Sequence, residues 1–598
     1  MRMRSRSAER AGGPPSPALS KECLLPPHGS QPGASAGGDF GDLQKVAEDK
    51  DFPVTREKEA PLTRLHSMLH AASAFFASNY WVLCILIGAV ALGFNLFRLG
   101  SKSMWFDEIL SVERARQSLP VLWQIVFATQ PNMAFYYIFL HFWLSLTSLL
   151  GLNPVEFVVR FPSAIFAALS SVMVFLLGRR FLGLSAGLIG AGLYLLNDLE
   201  LVYAQETRSY ALQLLLICIT WYALFAVLTG ESRQKRWWAC YAIVTILAIY
   251  TQLFSLLILA AQVLTFASLL LLPGPWRTRA RQQFRTFLIS LVGIFVLIIP
   301  LLYASRHGSK TGWLPIPHLM DIYLLFLTFC ANSRIYLYLL LALCLLGLLV
   351  AMFAYRSWGV QLLRKASLVD SADDTRLLRL QQLLPVGLAL LCWIIVPLVL
   401  SYTISQGPTR LFSSRYLVTI VPPFVLLVGL GIVVLRWRAI QVALALFLLV
   451  LTLHYVPLYY QTPQAEDWNT TSFWLEQHYQ ANDGLVCYDN AQGCQVCIEY
   501  YLSAYPGGAH FTADSPGSFP WVNYDLTNHL GNAEPAVDPT ALAVFGTHHP
   551  RIFYITGRIS SSSTAAQAQS AQHWLDTHYH FITQIVTRTV TIRLYATS

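Results

Sequence analysis

The chain has 598 residues, of which 55% are hydrophobic and 12% charged, and its mean hydropathy is +0.49. Soluble domains carry about 25% charged residues, so this composition excludes a soluble globular protein and fits an integral membrane protein. The formal net charge of +9 is scattered over short loops between apolar segments, which is a pattern of membrane topology and excludes a nucleic-acid groove as its reason.

Residues 1–60 are rich in Pro, Gly, Ser and charge and have little to bury. They predict a disordered tail, extended to about residue 70, on the cytoplasmic side. The first apolar run begins near residue 74, too deep for a cleavable signal sequence. A spanning helix needs about 20 mostly apolar residues. Candidates are 79–97, 134–150, 163–178, 183–198, 209–228, 237–251, 252–272, 285–304, 336–355, 383–404, 416–435 and 438–457.

Basic residues favour the cytoplasm. They cluster at Arg179-Arg180, at Arg233, Lys235 and Arg236, at Arg277 to Arg285, at Arg356 to Arg379, and at Arg436 and Arg438. With these clusters inside, the loops 203–210, 250–252, 306–319 and 405–415 and the tail after 457 fall outside. A first outer loop covers 98–133. An odd number of crossings must then separate it from Arg179, yet two candidates lie between. Residues 134–150 are short for a span and begin with aromatic residues, so they are expected to lie along the membrane or re-enter it. That gives 11 crossings; the alternatives give 12 or 13. The expected architecture is an all-α polytopic membrane domain over 71–460.

Beyond Gln464 the composition changes. Asp467–Gln480 predicts an amphipathic helix, Gly484–Asp489 and Arg551–Gly557 strands, and Ala565–Tyr579 a helix. Residues 582–595 predict a strand or hairpin. These form a small extracytoplasmic α/β domain over 464–598. Of the ten cysteines, six sit in apolar segments as small hydrophobes. Cys487, Cys494 and Cys497 cluster in the tail, where a structural disulfide with one thiol left over is expected. Asn469-Thr-Thr471 fits a glycosylation sequon.

Four polar sites share the outer face: Trp105-Phe106-Asp107-Glu108, Gln130-Pro-Asn132 leading into Tyr136-Tyr137, the run Tyr203-Ala-Gln205-Glu206-Thr-Arg208-Ser-Tyr210, and Arg410 with Arg415. Each has a structural reading by itself: Asp107 as a helix cap, Glu206 and Arg208 as a local pair, the arginines as snorkelling residues, the tyrosines as aromatic belt. Independent structural roles would not all choose one face. Ionised groups beside so much apolar chain point to function, and acids with guanidiniums suit a substrate bearing an anionic group and a hydroxyl.

In this order the motifs resemble the GT-C membrane glycosyltransferases, in particular the bacterial group similar to protein O-mannosyltransferases and to the aminoarabinose transferase of lipid A. The resemblance is carried by Trp105-Phe-Asp-Glu108, Gln130-Pro-Asn-Met-Ala-Phe-Tyr-Tyr137, Arg160-Phe-Pro-Ser163, Tyr203 to Leu212, Arg415-Tyr-Leu417 and Glu466-Asp-Trp468. It covers about 75–470. Relatives often carry His-Pro-Pro or Lys-Pro-Pro where this chain has Gln130-Pro131-Asn132. The resemblance implies a multi-pass plasma-membrane enzyme with its active site and C-terminus outside the cytoplasm. It implies inverting transfer of a hexose or pentose from a polyprenyl-phosphate-linked donor to a hydroxyl of a protein, lipid or glycan acceptor. On this reading Asp107 is the base, with Glu108 beside it positioning acceptor or sugar. Arg415 holds the lipid phosphate with Arg410 or Arg208 as helper. Trp105, Gln130, Asn132, Tyr136, Gln205 and Glu206 complete the substrate contacts. No cofactor is required, although the carboxylate pair suits a divalent metal. A secondary transporter, a lipid-linked sugar flippase and a non-catalytic scaffold are the alternatives.

Overall fold

A computed structural model describes residues 78–597 apart from 130, 231, 307–310, 312–313, 366–373, 463, 465, 481, 489–492, 505–538 and 560–561. The expected tail over residues 1–70 lies outside the described residues, as does Gln130. The described part falls within one unit, Leu69–Ser598. It is mostly helical, with a small sheet near the C-terminus.

Seven described helices are long and apolar enough to cross a membrane, and five shorter apolar helices accompany them. In chain order the first elements are α1 (Tyr80–Leu96), α2 (Phe106–Ala115), α3 (Leu119–Gln124), α4 (Ala134–Leu149) and α5 (Glu156–Phe181). Next come α6 (Leu184–Leu195), α7 (Asp198–Ala204), α8 (Tyr210–Leu228), α9 (Gln234–Thr251), α10 (Ser255–Leu271) and α11 (Pro275–Ser305). The membrane part continues with α12 (Leu319–Phe329), α13 (Arg334–Tyr355), α14 (Ser357–Lys365), α15 (Asp374–Ile404), α16 (Ser414–Leu417), α17 (Val421–Val433) and α18 (Arg438–Gln461).

Helices α1 and α5 run antiparallel. The Arg179 guanidinium lies 3.7 Å above the Tyr80 ring at one end, and Arg160 donates to the Leu99 and Lys102 carbonyls at the other. Residues 97–155 therefore leave and return at one end of this pair and make no net crossing. Within them α4 turns back along α5: Phe139 packs on Phe166, and Trp143 stacks on Phe161 and donates to the Val158 carbonyl. Helices α5 and α6 form a tight hairpin because glycines meet. A Cβ on Gly178 would lie 2.6 Å from the Gly187 Cα, and such small residues let membrane helices approach closely.

The candidate span 183–198 is interrupted. Asn197 ends α6 and caps α7, its side chain accepting from the Leu199 and Glu200 amides at 3.2 and 3.3 Å and donating to the Phe329 carbonyl at 2.8 Å. An Asn at this position satisfies helix-end amides that would otherwise be orphaned.

The tail domain contains α19 (Trp468–His478), β1 (Gly484–Tyr488), α20 (Gly493–Ala504), α21 (Pro539–His548), β2 (Arg551–Thr556), α22 (Ser562–His578), β3 (His580–Val586) and β4 (Thr591–Ala596). The strand order is β1-β2-β4-β3, with β1 and β2 parallel and the rest antiparallel. Successive strand residues face opposite sides. Val486, Ile552 and Tyr554 pack with Ala568, Ala571 and Leu575 of α22. Leu485, Phe553 and Ile555 join instead the large core that runs into the membrane helices. The disulfide pairs Cys487 with Cys494, so it does not close the Cys494–Cys497 spacing. Cys497 is buried.

Candidate active site

The site is built where the tail domain meets the first loop. Helix α2 begins at Phe106, and its own Trp105 cap residue offers no side-chain acceptor. That acceptor comes from the tail. One Glu466 oxygen accepts from the Phe106 amide at 2.9 Å and from the Trp468 indole at 3.2 Å. A carboxylate at a helix N-terminus satisfies an orphan amide and complements the dipole. Tyr501 of α20 fixes the preceding residues: its hydroxyl accepts from the Met104 amide at 2.7 Å and donates to Glu156 at 3.0 Å. The sequon residue Asn469 is used in the same seam, donating to Glu156 at 2.8 Å.

The two adjacent acids of α2 have opposite surroundings. Glu108 is fully buried and paired with Arg160 at 2.7 Å. Arg160 grips both carboxylate oxygens, at 2.8 and 2.7 Å. Its remaining donors go to the Leu99, Lys102 and Ser103 carbonyls. The second Glu108 oxygen also accepts from the Thr207 amide at 2.8 Å. Every strong interaction of Glu108 thus fastens the 99–103 segment, α2, α5 and the 205–209 loop together. Its oxygens are thus engaged within the protein, although Glu108 also borders the cavity described below.

Asp107 is one residue earlier and therefore about 100° around the helix. Its side chain is 26% exposed, with Arg415 at 3.4 Å and Arg208 at 3.6 Å. Arg208 also donates to the Asp107 carbonyl and to the Ser111 hydroxyl, and Ser111 in turn donates to that same carbonyl. Arg415 lies 4.6 Å above the Trp105 ring, a cation–π contact that holds a guanidinium in place.

Arg415 and Trp105 border a cavity of about 450 Å³, a size typical of small-ligand sites; Asp107 and Arg208 are not part of its lining and meet it through the Asp107–Arg415 pair. Trp105, Gln205, Glu206 and Arg415 line it, as expected from the sequence. Partly buried Glu206 has its carboxyl pushed up to about 8, first by burial and then by the neighbouring Glu108 carboxylate, against the pull of Arg415 and Arg208. Burial thus favours its protonated, hydrogen-bond-donating form. Gln205 is partly committed: its amide donates to the Asn95 and Phe97 carbonyls and its oxygen accepts from Tyr459.

Besides Asp107 and Arg208, three further expected residues are outside the lining. Arg410 donates to the Ser405 and Gly407 carbonyls and so closes its own turn. Asn132 accepts from the Leu253 amide at 3.0 Å and ties the first loop to the α9–α10 turn. Tyr136 is buried on α4 beside Tyr137. None of the three lines the cavity. Among the described residues no three His, Cys, Asp or Glu side chains gather as a metal set.

The cavity also has lining that sequence reading did not anticipate. Lys102, Tyr459, Glu466, Arg558 and Arg588 all border it. Lys102 donates to the Tyr459 carbonyl at 2.7 Å and lies 3.5 Å over its ring. Burial and the Arg160 and Arg98 cations push its ammonium down to about 8. The Glu466-Asp-Trp468 motif pointed to this corner; nothing local marked Lys102, Arg558 or Arg588.

Residues 130–303 match the family model described as dolichyl-phosphate-mannose-protein mannosyltransferase. The match covers less than a third of the chain and is a likeness to that family over this stretch. No curated protein matches the chain by sequence. Among solved structures it is similar to ArnT from Cupriavidus metallidurans in the apo state, at 13% identity and a TM-score of 0.47, over 87% of this chain and 98% of that one. It is also similar to the arabinofuranosyltransferase AftD from Mycobacteria, at 14% identity and TM-score 0.45, over 86% of this chain and 40% of that one. A third is the archaeal oligosaccharyltransferase AglB from Archaeoglobus fulgidus, at 12% identity and TM-score 0.43, over 88% and 75%. At such values these likenesses say nothing about what this chain binds.

Proposed function

We propose that this protein moves a sugar from a polyprenyl-phosphate-linked donor to an acceptor hydroxyl, with inversion, at the outer face of the plasma membrane. The supporting observation is the convergence of Asp107 with Arg208 and Arg415, the last of which lines the cavity. The orientation rests on charge. Arg179 and Arg180 end α5 at the opposite end from Arg160 and the site, and basic residues favour the cytoplasm.

The chemistry follows from the side chains. The acceptor oxygen attacks the anomeric carbon while the bond from that carbon to the phosphate oxygen breaks. The phosphate leaves with the bonding electron pair, and the acceptor proton passes to Asp107 as general base. Charge develops on the leaving phosphate and on an oxocarbenium-like sugar. Arg415 supplies charge-assisted donors to the phosphate. In turning to it, Arg415 loosens its hold on Asp107 and frees that carboxylate to accept a proton. Arg208 keeps the Asp107 backbone in register throughout. Protonated Glu206 donates to a sugar or phosphate oxygen. The prenyl chain stays among the membrane helices while its head enters the cavity.

The test is incubation of the purified protein with a panel of polyprenyl-phosphate sugars and candidate hydroxyl acceptors, scored by free polyprenyl phosphate. Release with at least one donor is expected. No release across the panel, from protein that is folded and binds polyprenyl phosphate, contradicts the reading.

A further inference from the structure

The tail domain contributes cations of its own to the cavity, and a single leaving phosphate does not account for them. Arg558 follows β2, and Arg588 lies in the turn between β3 and β4. Both line the cavity. Arg558 is paired with Glu466 through one nitrogen at 3.2 Å and remains 42% exposed. Its guanidinium lies 6.0 Å from the Trp105 ring that Arg415 also covers. Two guanidiniums, one from the membrane part and one from the tail, thus share one aromatic platform. Lys102 is a third cation on the wall, held among other positive charges.

Lys102, Arg160, Arg415, Arg558 and Arg588 line the cavity against four acids, Glu108, Asp198, Glu206 and Glu466, and burial favours the neutral form of Glu206. Glu108 is consumed by Arg160, and Glu466 is divided between Arg558, the Phe106 amide and Trp468. Like charges gathered in a partly desolvated cavity repel each other until an anion enters. Arg415 serves the phosphate next to Asp107. Arg588 and Lys102 remain, together with Arg558, which Glu466 holds through one nitrogen.

We propose that Arg558 and Arg588, with Lys102, form a second anion subsite in this cavity, which takes a phosphate-type group additional to the one that Arg415 holds. This inference rests on the reading of the site as a lipid-phosphate sugar transferase and narrows its substrates to those carrying a second negative group. That group has two chemical sources: a diphosphate in the donor, or a phosphate on the acceptor.

The experiment uses the full-length protein in lipid nanodiscs, titrated with undecaprenyl monophosphate, undecaprenyl diphosphate and inorganic phosphate. If the donor supplies the second anion, the diphosphate binds about tenfold or more tightly than the monophosphate, and Arg588→Ala and Arg558→Gln each shrink that ratio. If the acceptor supplies it, protein saturated with monophosphate still binds inorganic phosphate, and the same substitutions remove that binding. Arg588 is exposed at a strand turn, so Arg588→Ala is expected to fold, and Arg588→Lys should restore part of the effect because it restores the charge. The subsite is refuted if the diphosphate shows no preference and the loaded protein binds no inorganic phosphate, or if either behaviour persists unchanged in both variants. Failure of the wild-type protein to bind monophosphate at all would instead overturn the transferase reading beneath it.

Discussion

Two carboxylate–arginine groups lie a residue apart on α2, and they teach different things. Glu108 and Arg160 form a closed knot: both are buried, and their polar atoms are taken up by one another and by the backbone of three segments. Asp107, Arg208 and Arg415 form an open cluster, with longer separations of 3.4 and 3.6 Å and partial exposure. Short, saturated contacts in a dry setting resist change and fix geometry. Longer contacts at a cavity edge can be exchanged for a ligand. Sequence alone does not separate the two acids, since they are adjacent and chemically alike. Their different roles come from the turn of a helix and from which arginine each one meets.

The comparison is broken most strongly at the knot. Glu108→Gln leaves the Arg160 charge buried without its partner, a change that typically costs about 3–5 kcal/mol. A large fall in the thermal midpoint of detergent-solubilised protein is expected; an unchanged midpoint would mean that the knot does not hold the loop. Arg415→Ala acts on the open cluster. Losing a charge-assisted contact costs about 1.5–3 kcal/mol, so lipid-phosphate affinity should fall roughly tenfold or more while the midpoint moves little. Equal affinity in titrations of wild type and variant would remove Arg415 from the phosphate.

Lys102 gives a pH test. Burial and the Arg160 and Arg98 cations push its ammonium down to about 8, and an anion binds the charged form. Affinity for inorganic phosphate or lipid phosphate should therefore rise as pH falls through about 8 and weaken above it. In Lys102→Arg, whose charge persists throughout this range, the slope should flatten. An identical pH profile in the two proteins would exclude Lys102 as its cause. The smallest effect is expected at Arg410, whose side chain closes the 405–410 turn and whose amide donates to Thr311. Arg410→Ala should leave lipid-phosphate affinity within about twofold, because surface changes away from special features are usually within ±0.5 kcal/mol. A loss as large as that of Arg415→Ala would return Arg410 to the site.

Much of this was legible in the sequence. Apolar runs of the right length marked the membrane helices, and the alternation over 582–595 marked the β3–β4 hairpin. The order of motifs brought Trp105, Asp107, Glu206, Arg208 and Arg415 to one face. What escaped depends on contacts far apart in the chain. Glu466 caps α2 across 360 positions, and no local pattern announces such a partner. Arg558 and Arg588 look like ordinary charged residues of a sheet domain until the fold lays them over the cavity. Hydropathy was equally blind to burial. The α8 and α18 spans share a mean hydropathy of 2.2, yet 89% of one and 17% of the other is buried. Apolar side chains suit both lipid and protein interior, so the pattern marks a span without saying which faces meet other helices.

The most direct measurement is the rate of free polyprenyl-phosphate release by Asp107→Asn, with donor and acceptor saturating and the thermal midpoint recorded alongside. Loss of general-base help predicts a fall of about 10²–10⁴-fold, with the midpoint and donor affinity close to those of wild type. Turnover near the wild-type rate would contradict the assignment of the open cluster to chemistry.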